Sequence, residues 1–185
     1  MANEKKERDI LIVENQDCPV CFKKTAVFSE YEIEDAYAGP IAIFTIKCND
    51  CGFRNSDLEF VNPGQPAEYS VAIESLDDLN IRVIKSGICE IKIPNFRISV
   101  DSSMSSEGFI SNVEGVLLRF KRQIMLLKNG SDLDKTARKR IKTVLKGLDQ
   151  VFNGEKKITL KLIDNTGNSA IISDKVKVKK IKAKK

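Results

Sequence analysis

Cys18-Pro19-Val20-Cys21 and Cys48-Asn49-Asp50-Cys51-Gly52-Phe53-Arg54 are the two stretches whose reading decides the fold. Each places two cysteines with two residues between them, and 26 residues separate the pairs. A tight turn of that spacing lets both thiolates point at one ion, and two such turns complete a tetrahedral four-sulfur shell. Zinc is the expected metal, one ion, and a closed shell leaves no open position for water or substrate, so its role is structural. Iron in a rubredoxin-like site is the chemical alternative. A disulfide framework or a redox C-x-x-C are the competing uses of the same residues. Gly52 suits a knuckle that turns through positive φ. Phe22 stands at the matching place after Cys21, which predicts a first knuckle of different build. Cys89, in an alternating run, reads as a buried small hydrophobe.

Working outward, two strand-like runs fill the space between the knuckles, residues 25–34 and 41–48, joined by a turn-rich 36–40. That predicts a zinc ribbon with a long hairpin, in residues 1–60. Glu30, Glu32 and Glu34 share one strand face, as a solvated surface or an acidic docking face. After Asn62-Pro63-Gly64-Gln65-Pro66 come short strand-like runs at 68–74, 81–85, 88–93 and 96–100, the spacing of an antiparallel sandwich or barrel.

Then the period changes. Ser111 with Glu114 is an S-x-x-E capping box, and Val113, Val116, Leu117, Phe120, Ile124 and Leu127 recur at helical spacing as far as Asn129-Gly130. Ser131 with Asp134 starts a second helix whose apolar positions run from Leu133 to Phe152. A helical hairpin at about 111–153 is therefore expected. Strand character returns at 157–163, with a turn at 164–168 leading into 169–173. The order β, helical hairpin, β predicts one β-domain over 61–175 that carries a helical insertion. A last edge strand at 176–178 and a disordered lysine-rich tail, 176–185 overall, complete the expectation.

Composition narrows the function. The chain of 185 residues has no histidine, so triads and metal sites built on imidazole are excluded and no enzyme is expected. No phosphate loop of the G-x-x-x-x-G-K-[ST] type or paired-carboxylate motif is present either. The formal charge of +5 is unevenly placed: seven of the 31 basic residues fall in 175–185, leaving 24 basic against 26 acidic in the body. Within that body, residues 116–148 alone carry ten basic against two acidic residues. The molecule is bipolar rather than uniformly basic. No apolar run approaches the ~20 residues that span a bilayer, and no apolar segment follows the polar N-terminus, so no membrane and a cytoplasmic location are expected.

The second knuckle, Cys48 to Asp57, resembles that of the Zpr zinc-finger family, in which C-x-x-C-G-aromatic-R is followed by polar residues. Asp78-Leu79-Asn80 with Arg82 to Ser86, Ile91-Lys92-Ile93-Pro94, Val113 to Leu117, and Asp164 with Gly167-Asn168-Ser169 are similar to that family's later segments in the same order. The resemblance covers about residues 16–174. It implies a mainly β, α+β fold, with a four-cysteine zinc ribbon followed by a double-stranded β-helix or jelly-roll-like domain carrying the helical hairpin. It further implies a single-module, archaeal-type relative of eukaryotic proteins whose two tandem modules bind translation elongation factor one-alpha, a GTPase, and help it fold.

Two functions follow as expectations. The first is a zinc-binding interaction module for that elongation factor, with Phe53, Arg54, Asn55, Arg82, Lys85, Glu114, Asn168 and Ser169 as the partner contacts. Arg54 pairing inside the protein, Glu114 as a helix cap, and Asn168 and Ser169 as turn residues are the structural alternatives. The second is nonspecific RNA binding through the basic hairpin and the lysine tail, salt-sensitive because lysine without interleaved aromatics meets phosphates rather than bases.

Overall fold

A computed structural model of the chain describes residues 10–100, 107–128 and 133–182. The N-terminal unit is a four-stranded antiparallel sheet in the order of the chain: β1 (Leu11–Gln16), β2 (Ala26–Asp35), β3 (Gly39–Cys48) and β4 (Arg54–Phe60). β2 and β3 form the long hairpin, in register from Ala26 opposite Cys48 to Asp35 opposite Gly39. β1 is an addition to the expected ribbon, exposed along its length and paired to β2 alone. Its apolar start, Leu11-Ile12-Val13, is a short unbroken run without the alternation that announces a strand; the edge of β2 is what orders it.

The second unit is a sandwich. β5 (Ala67–Ile73), β7 (Glu90–Ile93), β8 (Ile98–Val100), β10 (Ile158–Asp164) and β12 (Lys177–Lys180) form a five-stranded sheet in the order β12-β5-β10-β7-β8. Facing it, β6 (Arg82–Lys85), β9 (Phe109–Asn112) and β11 (Ala170–Ile172) form a three-stranded sheet in the order β11-β6-β9. Strict alternation in β10 sends Ile158, Leu160 and Leu162 inward against Val71, Ile91 and Ile93, the pattern of a strand with one buried face. This is the jelly-roll architecture. Residues 94–96 form a 3-10 turn, where the expected strand at 96–100 begins two residues later than its sequence suggests.

Helices α1 (Val113–Lys128) and α2 (Lys135–Phe152) are inserted between β9 and β10 and share the sandwich core through Val113, Val116, Leu117, Phe120, Val144, Leu148 and Val151. The expected apolar stripe stops short: Ile124 still packs against the sandwich core, but Leu127 is 63% exposed and lies outside it. The cap of α1 also differs from expectation. Ser111 and Asn112 belong to β9, and the Asn112 side-chain oxygen accepts from the Gly115 amide at 2.8 Å, so the box Ser111–Glu114 is not the cap. Asp134 caps α2 by accepting from the Ala137 amide; Ser131, read with it, lies outside the described residues. Among the described residues no helix is long and apolar enough to cross a membrane.

The edge strand expected at 176–178 is present and runs further than expected, into residues read as a disordered tail. Lys177–Lys180 is an edge strand paired to β5, from Lys177 opposite Ser70 to Lys180 opposite Ala67, and the Ile181 amide donates to the Pro66 carbonyl. Alternating lysines suit an edge strand because they discourage further pairing.

Candidate metal centre and the joint behind it

Both knuckles sit at one end of the ribbon, just before β2 and just after β3, so the in-register hairpin brings them face to face. The Sγ atoms of Cys18, Cys21, Cys48 and Cys51 lie within 4.8 Å of one another, with Cys18–Cys51 and Cys21–Cys48 separations of 3.7 Å. A tetrahedron with metal–sulfur bonds of about 2.3 Å has edges of about 3.8 Å, so the four thiols are spaced as zinc ligands. They are too far apart for disulfides, whose sulfurs approach to about 2.05 Å, and all five cysteines are free.

The sulfurs are also prepared electrostatically. Val20 N–H points at the Cys18 sulfur, Asp50 and Cys51 N–H at the Cys48 sulfur, each at 3.4 Å, and the Thr25 hydroxyl lies 3.2 Å from Cys48 Sγ. The Thr25 hydroxyl, followed by the Cys51 amide, holds the Cys48 thiol down at about 6. At Cys51 the Phe53 amide favours the thiolate, but desolvation and the other three sulfurs outweigh it and push the thiol up to about 12. Four anionic sulfurs cannot share this space without a cation between them. The donor set and its amide cradle therefore fit one structural zinc ion held by these cysteines. Lys23 closes the site from outside with an ion pair to Asp50 at 2.8 Å, linking the two knuckles.

The knuckles are alike, contrary to the expectation drawn from Phe22. Cys18 N–H donates to Lys23 O at 2.9 Å just as Cys48 N–H donates to Phe53 O at 2.7 Å. Phe22 takes φ 59° where Gly52 takes φ 74°. The turn dictates the left-handed residue, and phenylalanine adopts it at a steric cost of roughly 1 kcal/mol. Its ring gains no burial in return, being 82% exposed beside an exposed Val20.

The structure separates the eight expected contact residues into two groups. Arg54 and Glu114 are exposed, Asn55 is half-buried, and Phe53 packs partly against Cys18, Ala26 and Cys48. The other four serve inside the molecule. Lys85 is 1% exposed and donates to the carbonyls of Ser86 and Gly87; burial pushes its ammonium pKa down. Ser169 is fully buried, its hydroxyl accepting from Ser86 N–H at 3.0 Å. Asn168 accepts from Phe60 N–H, and Arg82 is ion-paired with the buried Asp35 of the ribbon. Burial acts to raise the Asp35 carboxyl, but the amides of Tyr37 and Ala38, with Arg82, outweigh it and hold it low.

These residues build a joint between ribbon and sandwich. Ile41 and Leu58 of the ribbon and Ile84 of the sandwich are buried together, with Phe60 and Ile110 against them. Asp57 fits a slot between two glycines: its Oδ1 accepts from Gly87 N–H at 2.6 Å, while a Cβ on Gly87 or Gly108 would lie 2.4 or 2.3 Å from its carboxylate. Asp57 was legible in the sequence as one more polar residue after the knuckle. Its role was not, because Gly87 and Gly108 meet it only in the fold.

The family model of the ZPR1 jelly-roll domain matches residues 77–185. A ZPR1-like protein of Pyrococcus horikoshii is 34% identical over 184 residues, 98% of this chain and 82% of that protein. One of Methanocaldococcus jannaschii is 36% identical over 165 residues, 89% of this chain and 83% of that protein. The zinc finger chaperone zpr1 of Schizosaccharomyces pombe is 24% identical over 140 residues, which cover 73% of this chain and 29% of that protein.

Proposed function

This chain belongs to the ZPR1 family, and from that premise we propose that it is a zinc-stabilised protein-binding module that engages the translation elongation factor one-alpha GTPase in the cytoplasm and helps it fold. The fission-yeast relative is called a zinc finger chaperone. The four cysteines would fill the coordination shell of a zinc ion held there and the chain has no histidine, which favours binding over catalysis.

One observation carries the reading: Phe22 is held in a strained backbone conformation with its ring 82% exposed at the tip of a rigid metal knuckle. Strain that buys no internal packing is a sign of a contact made with something else. Val20, Phe53, Arg54 and Asn55 surround the same metal-bearing end, and Glu114 offers a further exposed contact on the sandwich.

The substitution Phe22→Gly separates this role from a structural one. It relieves the left-handed residue, so the melting temperature of the zinc-loaded protein should hold or rise slightly. Capture of purified elongation factor should meanwhile weaken by about tenfold or more, the cost of losing an aromatic anchor. Unchanged capture would refute the reading. Arg54→Ala should weaken capture in the same way with melting almost unchanged. The alternative, nonspecific RNA binding, rests on the exposed cations of α2 and β12 and predicts binding that vanishes with salt.

A further inference from the structure

An open cleft of about 400 Å3 lies between α2 and the 3-10 turn Pro94–Phe96, on the sandwich and away from the metal. On one side Thr136, Lys139, Arg140 and Thr143 follow one another at helical spacing and form a single face of α2. Arg97 and Lys156 supply the other side. Four cations thus line the cleft and no carboxylate does. Among the described residues none of the four takes part in an ion pair, although seven such pairs occur elsewhere in the molecule.

The site is held in shape from within. Phe96 and Val144, both buried, form its floor. Phe96 reaches the helix because residue 147 is glycine; a Cβ there would lie 2.4 Å from the ring. Arg97 sits at φ 52°, and its carbonyl accepts from Arg140 Nη2 at 3.0 Å, which orients the guanidinium and leaves its other donors available. Lys156 Nζ lies 5.1 Å from the centre of the Phe96 ring.

We propose that this cleft binds a small molecule carrying a chain of two or more phosphates. Convergent cations with no internal counter-ion favour a multivalent anion over a single carboxylate, and arginine's fork matches phosphate oxygens. The volume falls in the range of small-molecule sites, about 300 to 1,000 Å3. A single-stranded nucleic acid is the weaker match, because stacking needs a free aromatic face and Phe96 is buried beneath Lys156. The cleft stands independently of the elongation-factor reading.

The test is calorimetric titration of the full zinc-loaded chain with inorganic pyrophosphate, orthophosphate and single-stranded poly-uridine, at low and at physiological ionic strength. Pyrophosphate should bind about tenfold or more tighter than orthophosphate, one charge-assisted contact being worth that much. The double substitution Lys139→Gln with Arg140→Gln should weaken pyrophosphate by about tenfold or more, whereas Lys142→Gln with Lys146→Gln, which removes the same charge from the same helix outside the cleft, should cost about twofold at most. Thr143→Glu, which places an anion in the cleft, should abolish binding. Helix content and zinc content, measured on each variant, guard against unfolding and metal stripping. Equal weakening by both double substitutions, no pyrophosphate binding at low salt, or binding only to poly-uridine without competition by pyrophosphate would each overturn the proposal.

Discussion

The ribbon and the sandwich are both antiparallel sheets, yet they are held together by different physics. Three residues, Cys18, Ala26 and Cys48, are the buried centre of the metal-bearing end of the ribbon, and two of them are metal ligands. The sandwich instead buries a contiguous cluster drawn from both sheets and both helices. A sheet with so little apolar core depends on its ion for order, while one that packs against a second layer does not. The joint is where the two regimes meet. Asp57, Arg82 and Asn168 tie a metal-dependent unit to a core-dependent one through hydrogen bonds and an ion pair set around the apolar cluster of Ile41, Leu58 and Ile84.

The largest expected effect tests that contrast directly. Zinc binding to structural sites is worth about 10 to 16 kcal/mol in small zinc-finger peptides, so chelation or Cys48→Ser should unfold the knuckle end of the ribbon. Methyl resonances of Leu117, Leu160 and Leu162 in the sandwich core should persist under the same treatment. Their simultaneous loss would show that the two units form one cooperative structure. Zinc uptake should also be pH-dependent, since the thiols must lose their protons, and should weaken as the solution is acidified.

A smaller effect is expected at the joint. Gly87→Ala drives a Cβ into the Asp57 carboxylate and should cost about 1 to 3 kcal/mol, the range for overpacking and for an unsatisfied buried group. Thermal unfolding should then broaden or split, because the ribbon is loosened from the sandwich while the metal site stays intact. A sharp single transition lowered as a whole would instead place Gly87 within the sandwich's own stability.

The smallest effect belongs to the sandwich alone. Asp78 accepts from the Lys175 ammonium at 2.6 Å and from the amides of Glu74 and Ser75. The Lys175 contact, with those amides, overcomes desolvation and lowers its carboxyl to about 2. A carboxyl lowered in the folded state stabilises above its unfolded pKa, and that stability is lost as pH falls from about 4 toward 2. The loss should be of order 1 to 2 kcal/mol. Acid titrations of zinc-loaded protein followed by sandwich resonances should show it, and Asp78→Asn should flatten the curve in that window. An unaltered curve would remove Asp78 from the account.

Legibility in the sequence followed the range of the interaction. The C-x2-C pairs, the change of period at residue 113 and the turn at 164–168 each declare themselves within a few residues, so the ribbon, the hairpin insertion and the order of elements could be read directly. Which of the expected contact residues lie at the surface could not. Lys85 and Ser169 look like surface chemistry in the sequence, but β6 is a central strand and the Ser86 amide turns inward to meet Ser169, which buries both. Phe22 was read through its residue type, whereas its conformation is set by the hydrogen-bonded frame of the knuckle.

By itself the sequence determined the metal chemistry, because two residues between cysteines is a local geometric constraint, and the bipolar charge, because charge is additive along a chain. Tertiary structure decided which residues face solvent and which face each other. It paired Lys177–Lys180 with β5, across more than a hundred residues, and so carried the expected edge strand through Lys179 and Lys180, which composition alone describes as tail. It set Asp57 between Gly87 and Gly108, and brought Arg97 and Lys156 opposite one face of α2. Strand pairing and side-chain burial depend on neighbours distant in the chain, and no local pattern records them.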